Sequence, residues 1–510
     1  MMVKHENFRL KLLFAAPLAS LAGLLYLTAF PGIAWWPGAF IAIILFAISI
    51  WRQKARHGLL LGTLFGAFFW LPLIDWLTLY LGPVPWLALS SVMVLWFALF
   101  GASIALVTSK FKGFFAALAF AGLWVAREAI QSTFPYDGFA WGRLAHTQAD
   151  GPLVTLVPWL GFSGFSGILA LLAVLPVAFA ARDVFKFKFF VLSSAVISLA
   201  VLGLSFVPVP KLVTVDHAVV AAVQGNSKSG VFDDRENGDV IASHLQVTKE
   251  WISKKSTTDK KVDAIIWPEN SAEFNLPWSQ ANLVEVRNLV DLTNAYFVVG
   301  SVLGEDIGGE RHYTNSSLVL SPESNAMSRY DKRHPVPFAE YMPHRSFYRA
   351  LAPSLVDLVQ LEYDHGTTSS VLPVSQMQAG IAICFDIIFD DHASLMNKEG
   401  AQVIFAQTNN ADFGQTDQSL QQLAIAKLRA VEMGRDLINI STVATSEIVS
   451  YSGHTLAEIE PWQPGVMSAE IVLREGSTPA MRFGAFIAGL WVTTGFSLLV
   501  LGVFTRRRIA

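Results

Sequence analysis

Two stretches, Lys261-Val-Asp-Ala-Ile-Ile-Trp-Pro-Glu269 and Gly380-Ile-Ala-Ile-Cys384-Phe-Asp386, decide how the polar half of this chain folds. Each is a short apolar run without polar alternation, as expected of a strand covered on both faces. The first is stopped by Pro268 and followed at once by a carboxylate; the second runs into the chain's only cysteine. In α/β sheets, ligands collect beyond the carboxyl ends of strands. Two reactive groups at two such ends therefore predict one shared pocket. Taken singly they mean little: a lone cysteine is more often an inert buried small hydrophobe, and a glutamate after Trp-Pro is more often a solvated turn.

Working outward, further strand-length apolar runs occur at Ala218–Val223, Tyr296–Val302, Ser317–Leu320, Val403–Ala406 and Leu437–Ile440. Helical patterns lie between some of them, notably Leu283–Asn294 and Ser419–Met433. Strands alternating with helices predict a layered α/β domain over residues 211–480, enough chain to bury a core of its own.

On either side of that region the character changes. Apolar runs near 10–29, 32–50, 58–78, 86–108, 113–131, 160–181 and 188–207 precede it, and another, Phe483–Phe504, follows. Runs of about 20 residues cross a hydrocarbon core about 30 Å thick. The reading is a seven-helix membrane domain (1–210), a polar domain (211–480), then a final span with a basic tail (481–510). The first run has the basic flank and small residues of a cleaved leader, but it belongs to a regular series and is read as a span. Basic residues cluster at Lys4/Arg9/Lys11, Arg52/Lys54/Arg56, Lys110/Lys112, Arg182/Lys186/Lys188 and Arg506/Arg507/Arg508. These are alternate ends of an eight-span arrangement. The positive-inside rule puts them in the cytoplasm, with both termini, and puts the polar domain outside.

Composition agrees. Of 510 residues, 53% are hydrophobic and only 15% charged, against about 25% charged in soluble domains. A net charge of −3 does not suit a nucleic-acid binder, which carries a basic surplus. One thiol cannot form an internal disulfide, and no Cys/His spacing suits zinc. Within the spans, Gly58, Gly62 and Gly66 share one helical face and predict a close helix–helix contact. Arg127 and Glu128 are costly in lipid and mark a polar interface or a snorkelling pair.

A third residue, the basic Lys332, changes what the two strand ends mean. Trp267-Pro-Glu269, then Tyr330-x-Lys332, then Val336-Pro-Phe-Ala-Glu340, then Ile383-Cys384-Phe-Asp386 resembles the Glu-Lys-Cys signature of the nitrilase (carbon–nitrogen hydrolase) superfamily. With seven spans before it and one after, the whole chain resembles the membrane-embedded apolipoprotein N-acyltransferases. Val223-Gln-Gly-Asn226, Phe134-Pro-Tyr, Gly142-x-x-x-x-Thr-Gln148 and Arg429-Ala-Val-Glu432 add to the likeness. The resemblance implies an αββα sandwich beside the eight membrane helices. It implies Cys384 as nucleophile, Glu269 as general base and Lys332 as oxyanion stabiliser, with the Phe385 N–H assisting. Glu340 would hold Lys332, and Asp386 would support the turn. It further implies a membrane glycerophospholipid as acyl donor and the α-amino group of an S-diacylglyceryl cysteine on an apolipoprotein as acceptor. The setting would be a bacterial plasma membrane, with a monomeric enzyme, no metal and no cofactor. The rival reading is a membrane-tethered amidase in which water resolves the acyl-enzyme.

Three positions depart from the family pattern: Asp386 for a frequent Glu, Asp412 for a common Trp, and Ala339 for the usual Gly. Aromatic stretches at 274–278, 338–341 and 347–361 are candidate lids facing lipid. The stretch 346–361 equally suits a surface helix packed on its own domain.

Overall fold

The computed structural model describes residues 8–181, 186–230, 233–254 and 260–504. Lys4, Arg182 and Arg506–Arg508 of the basic clusters lie outside them. The chain forms two compact units, Met1–Pro210 with Pro479–Ala510, and Lys211–Thr478.

The first unit is helical. Among the described residues, five helices are long and apolar enough to cross a membrane: Pro83–Lys110, Gly113–Gln131, Val154–Ala180, Phe187–Leu204 and Pro479–Phe504. Leu12–Leu27 and Pro37–Ile50 are apolar but shorter. Helix Ala55–Leu73 carries the glycine face. A Cβ on Gly58 would lie 2.4 Å from the Gly101 carbonyl oxygen, and one on Gly62 2.1 Å from that of Phe97. The expected close contact is therefore with helix Pro83–Lys110, and a side chain at either glycine would push the pair apart.

Arg127 and Glu128 form a buried polar interface and do not snorkel. The Glu128 carboxylate accepts from Trp124 Nε1 (2.9 Å), Arg127 (3.2 Å) and the Leu144 N–H (2.8 Å). Gln131 accepts from Arg127 and donates to the Trp141 carbonyl. Helix Gly113–Gln131 thereby satisfies polar groups that would each cost several kcal/mol if left unpaired in lipid.

The described residues of the second unit form twelve strands: β1 Val213–Gln224, β2 Ala264–Ile266, β3 Tyr296–Ile307, β4 Glu310–Leu320, β5 Met327–Asp331, β6 Val371–Val374, β7 Met377–Ile383, β8 Val403–Thr408, β9 Leu437–Ser441, β10 Ser446–Val449, β11 Thr455–Ile459 and β12 Gly465–Glu475. They make two six-stranded sheets, ordered β12-β1-β2-β3-β4-β5 and β11-β10-β9-β8-β7-β6. Each has a parallel centre, β1-β2-β3 in one and β7-β8-β9 in the other, flanked by antiparallel strands. The last strand, β12, pairs along the first, β1, from Val213↔Glu475 to Gln224↔Gly465.

Period-two alternation sorts the side chains. Val220, Ala222 and Ile266 of one sheet meet Ile381, Ile383, Val403 and Phe405 of the other in a shared core. Ala221, Val223, Ile265 and Trp267 point to the opposite face, where Ile241, Val286 and Leu289 of helices Asp239–Lys254 and Gln280–Thr293 cover them. Both faces are buried, which is why these strands read as unbroken apolar runs.

Candidate active site

Three strand ends deliver the site. Glu269 follows β2 in a turn that packs against β3: a Cβ on Gly300 would lie 2.5 Å from the Pro268 oxygen and from the Asn270 nitrogen. Lys332 follows β5, its backbone N–H bonded to the Asn315 carbonyl of β4. Cys384 follows β7. Its φ is +49°, a left-handed conformation that costs a non-glycine residue of order 1–3 kcal/mol and collects at functional sites. The strain turns the chain sharply into the short 3-10 helix Cys384–Ile388.

Glu269, Lys332 and Glu340 are brought together. Lys332 Nζ lies 3.3 Å from Glu269 Oε1 and 2.9 Å from Glu340. Lys332 and Glu269 are buried, and Glu340 nearly so. Burial would lower the lysine's pKa, but Glu340 and then Glu269 outweigh it and hold the ammonium charged well above its usual range. The Glu269 pKa also rises, but for the opposite reason: burial disfavours its charged form despite the opposing pull of Lys332. That shift moves it toward the pH at which a general base works well. Burial, then the Glu269 charge, pushes the half-buried Cys384 thiol up to about 12, with Lys332 acting in the opposite direction. The resting sulfur is therefore a thiol and needs a base to attack.

Asp386 is fully buried. Its carboxylate accepts from Tyr330 OH (2.8 Å), the His334 N–H (2.9 Å) and the Ile383 N–H (3.1 Å). It thus ties the segment bearing Lys332 to the turn bearing Cys384, a job the shorter carboxylate performs by direct contact. Phe385 is half-buried, its ring edge-on to Phe389. Arg429 braces the same turn from behind by donating to the Ile387 and Ile388 carbonyls (3.1 and 2.9 Å). Asp412 is half-buried in the short helix Ala411–Phe413 after β8. Of the aromatic stretches, Phe274, Trp278, Phe347 and Leu351 are exposed.

Three site residues escaped the sequence reading. Asn315 Nδ2 donates to both carboxylates, 2.7 Å to Glu269 and 3.2 Å to Glu340. The Asn409 backbone N–H donates to Glu269 Oε2 at 2.7 Å. Gln422, on helix Gln418–Met433, places Nε2 3.6 Å from Cys384 Sγ. A faint signal existed: asparagine is disfavoured inside a strand, and Gln418, Gln421 and Gln422 interrupt the phase at which this helix should be apolar.

The fold is that of a carbon–nitrogen hydrolase domain, with a buried Glu269–Lys332–Glu340 cluster at its strand ends. The carbon–nitrogen hydrolase family model matches residues 219–478, and the model of the apolipoprotein N-acyltransferase N-terminal domain matches residues 22–175. An apolipoprotein N-acyltransferase of Mycolicibacterium smegmatis is 31% identical, over 97% of this chain and 86% of its own length. One from Geobacter metallireducens is 26% identical over 96% and 95%. An amidase of the nitrilase superfamily from Nesterenkonia sp. AN1 superposes with a TM-score of 0.39 at 14% identity, over 55% of this chain and all of that one. The chain belongs to the apolipoprotein N-acyltransferase family.

Proposed function

We propose that this protein is an apolipoprotein N-acyltransferase that works through a thioester on Cys384. The observation that carries this reading is the meeting of Glu269 and Lys332 at the strand ends beside Cys384, in a chain whose N-acyltransferase relatives match it nearly end to end. In the first half-reaction, Glu269 takes the thiol proton and sulfur attacks an ester carbonyl of a membrane glycerophospholipid. The S–C bond forms, the ester C–O bond breaks, and the proton passes to the departing lysophospholipid oxygen. In the second, the α-amino nitrogen of an S-diacylglyceryl cysteine attacks the thioester. The C–N bond forms, the C–S bond breaks, and the amine's proton returns through Glu269 to the sulfur. Splitting one transfer into two easier displacements is what a nucleophilic cysteine contributes.

Lys332 stabilises the oxyanion in both steps, helped by the Phe385 N–H, and Glu340 keeps the lysine fixed and charged. Asp386 maintains the turn. The charge clusters support eight spans in a bacterial plasma membrane, with termini inside and residues 211–480 outside as the catalytic domain of a monomer. Membrane anchoring suits the substrates, since each buried CH₂ of a lipid holds it by about 0.8 kcal/mol. Purified protein incubated with phospholipid gains one acyl mass on its single thiol, and a diacylated lipopeptide then removes it as N-acyl product. Release of free fatty acid without N-acylated peptide would instead make it a tethered amidase.

A further inference from the structure

We infer that Gln422 is a catalytic residue whose side-chain amide donates a hydrogen bond to the Cys384 sulfur, its orientation fixed by a relay through Asn410. This deepens the reading of Cys384 as nucleophile and rests on it. The geometry begins two residues from the sulfur's end of the chain of bonds, at a pair of buried hydroxyls. Ser441 Oγ and Thr408 Oγ1 both reach Asn410 Oδ1, at 2.8 and 2.9 Å. Thr408 has a second acceptor in the Ile440 carbonyl. Ser441 Oγ donates to Asn410 alone among the described hydrogen bonds, and a buried hydroxyl proton without an acceptor is costly. The Asn410 oxygen must therefore face the hydroxyls.

Its NH₂ group then faces the helix, donating to Gln418 Oε1 and Gln422 Oε1 at 2.8 Å each. Gln418 Nε2 adds a second donor to Gln422 Oε1, at 3.2 Å. With its oxygen held by two amides, Gln422 has only its NH₂ group to turn on the sulfur, 3.6 Å away. All five residues of this relay are buried, and buried polar chains of this kind polarise one another in a low dielectric.

The consequence concerns charge on sulfur. Negative charge develops there when the thiol loses its proton to Glu269, and again when the thioester carbon–sulfur bond breaks. An N–H donor aimed at that atom stabilises both moments while the oxyanion is served elsewhere. Gln422 also draws the thiol's pKa downward, against its burial.

Iodoacetamide alkylation tests this in the full-length enzyme, because Cys384 is the only thiol. Replacing Gln422→Leu lowers the alkylation rate and the acyl-enzyme formation rate roughly tenfold at every pH, the effect of one hydrogen bond to a charged group. After Gln422→Glu, which keeps the size and the acceptor oxygen, the deficit relative to wild type grows as pH rises and the new carboxyl ionises. A carboxylate beside the sulfur repels the thiolate whatever the native role of the glutamine, so the donor is read from Gln422→Leu, whose alkylation rate a merely structural glutamine leaves unchanged. Should Gln422→Leu fail to fold, Gln422→Met, which also lacks the donor and has a similar length, replaces it, with a melting curve to confirm its folding. Gln422→Leu alkylating at the wild-type rate, or faster because the oxygen faced the thiol, overturns the assignment. The underlying reading fails separately, if Cys384→Ala still transfers acyl chains.

Discussion

Both units of this protein bury a cation against carboxylate, and only one of them does so beside a reactive atom. In the helical unit, Glu128 is served by its own helix and by one loop: Trp124, Arg127 and Leu144 all donate to its Oε1, and its Oε2 faces Arg143 Nε at 4.0 Å. In the α/β unit, Glu269 is held by groups from separate elements, Asn315 on β4, Lys332 after β5 and Asn409 after β8. The Cys384 it influences stands on a strained left-handed backbone. A buried charge pair is thus no mark of function by itself. The mark is convergence: long-range contacts from several strand ends on one atom that can change its charge.

That contrast can be broken experimentally. Cys384→Ala should abolish transfer, a loss on the order of 10⁶-fold as for other covalent nucleophiles, with no acyl adduct by intact-mass analysis. Persistent transfer would put the chemistry elsewhere. Lys332→Met should lower the acylation rate by about 10²–10³-fold, the usual cost of one oxyanion donor, measured by single-turnover release of lysophospholipid. Glu128→Gln should act the opposite way. It leaves Arg127 underpaired in the interior and destabilises the helical unit by about 3–5 kcal/mol, lowering the thermal midpoint in micelles while the surviving folded enzyme keeps its rate. A normal midpoint with a collapsed rate would give the helical cluster a chemical role.

The smallest effect is on pH dependence. With Glu269 as the proposed general base, kcat/KM should fall as pH falls through a pKa that burial has raised above the usual 4.5. Glu340→Gln removes a negative neighbour that raises that pKa, so the acid limb should move to lower pH, by about one unit. A shift the other way would mean that losing Glu340 disorders Lys332 more than it relieves repulsion.

Much of this was legible. The strands carrying Glu269 and Cys384 are buried on both faces, and such strands have no polar alternation to hide them; the observed β2 covers all but Trp267 of the run 264–267, and β7 contains the run 380–383. The glycine ladder announced its partner-facing side, though not that Gly101 and Phe97 would be the partner. Arg127 and Glu128 left two readings open because the donors that satisfy Glu128 include a backbone N–H sixteen residues away. Asn315, Asn409 and Gln422 stayed hidden for the same reason. Their value lies in which way an amide points, and orientation is set by neighbours distant in sequence. β5 and β6 were missed because they are short edge strands bearing charges and a proline, features that edge positions tolerate and central ones do not.

The pairing of β12 along β1 has a consequence for how such a protein is assembled. Val213 and Glu475 are register partners, so the polypeptide leaves the sandwich within a strand's width of where it came in. A module with its doorway and exit side by side can be spliced between two membrane helices without stretching either.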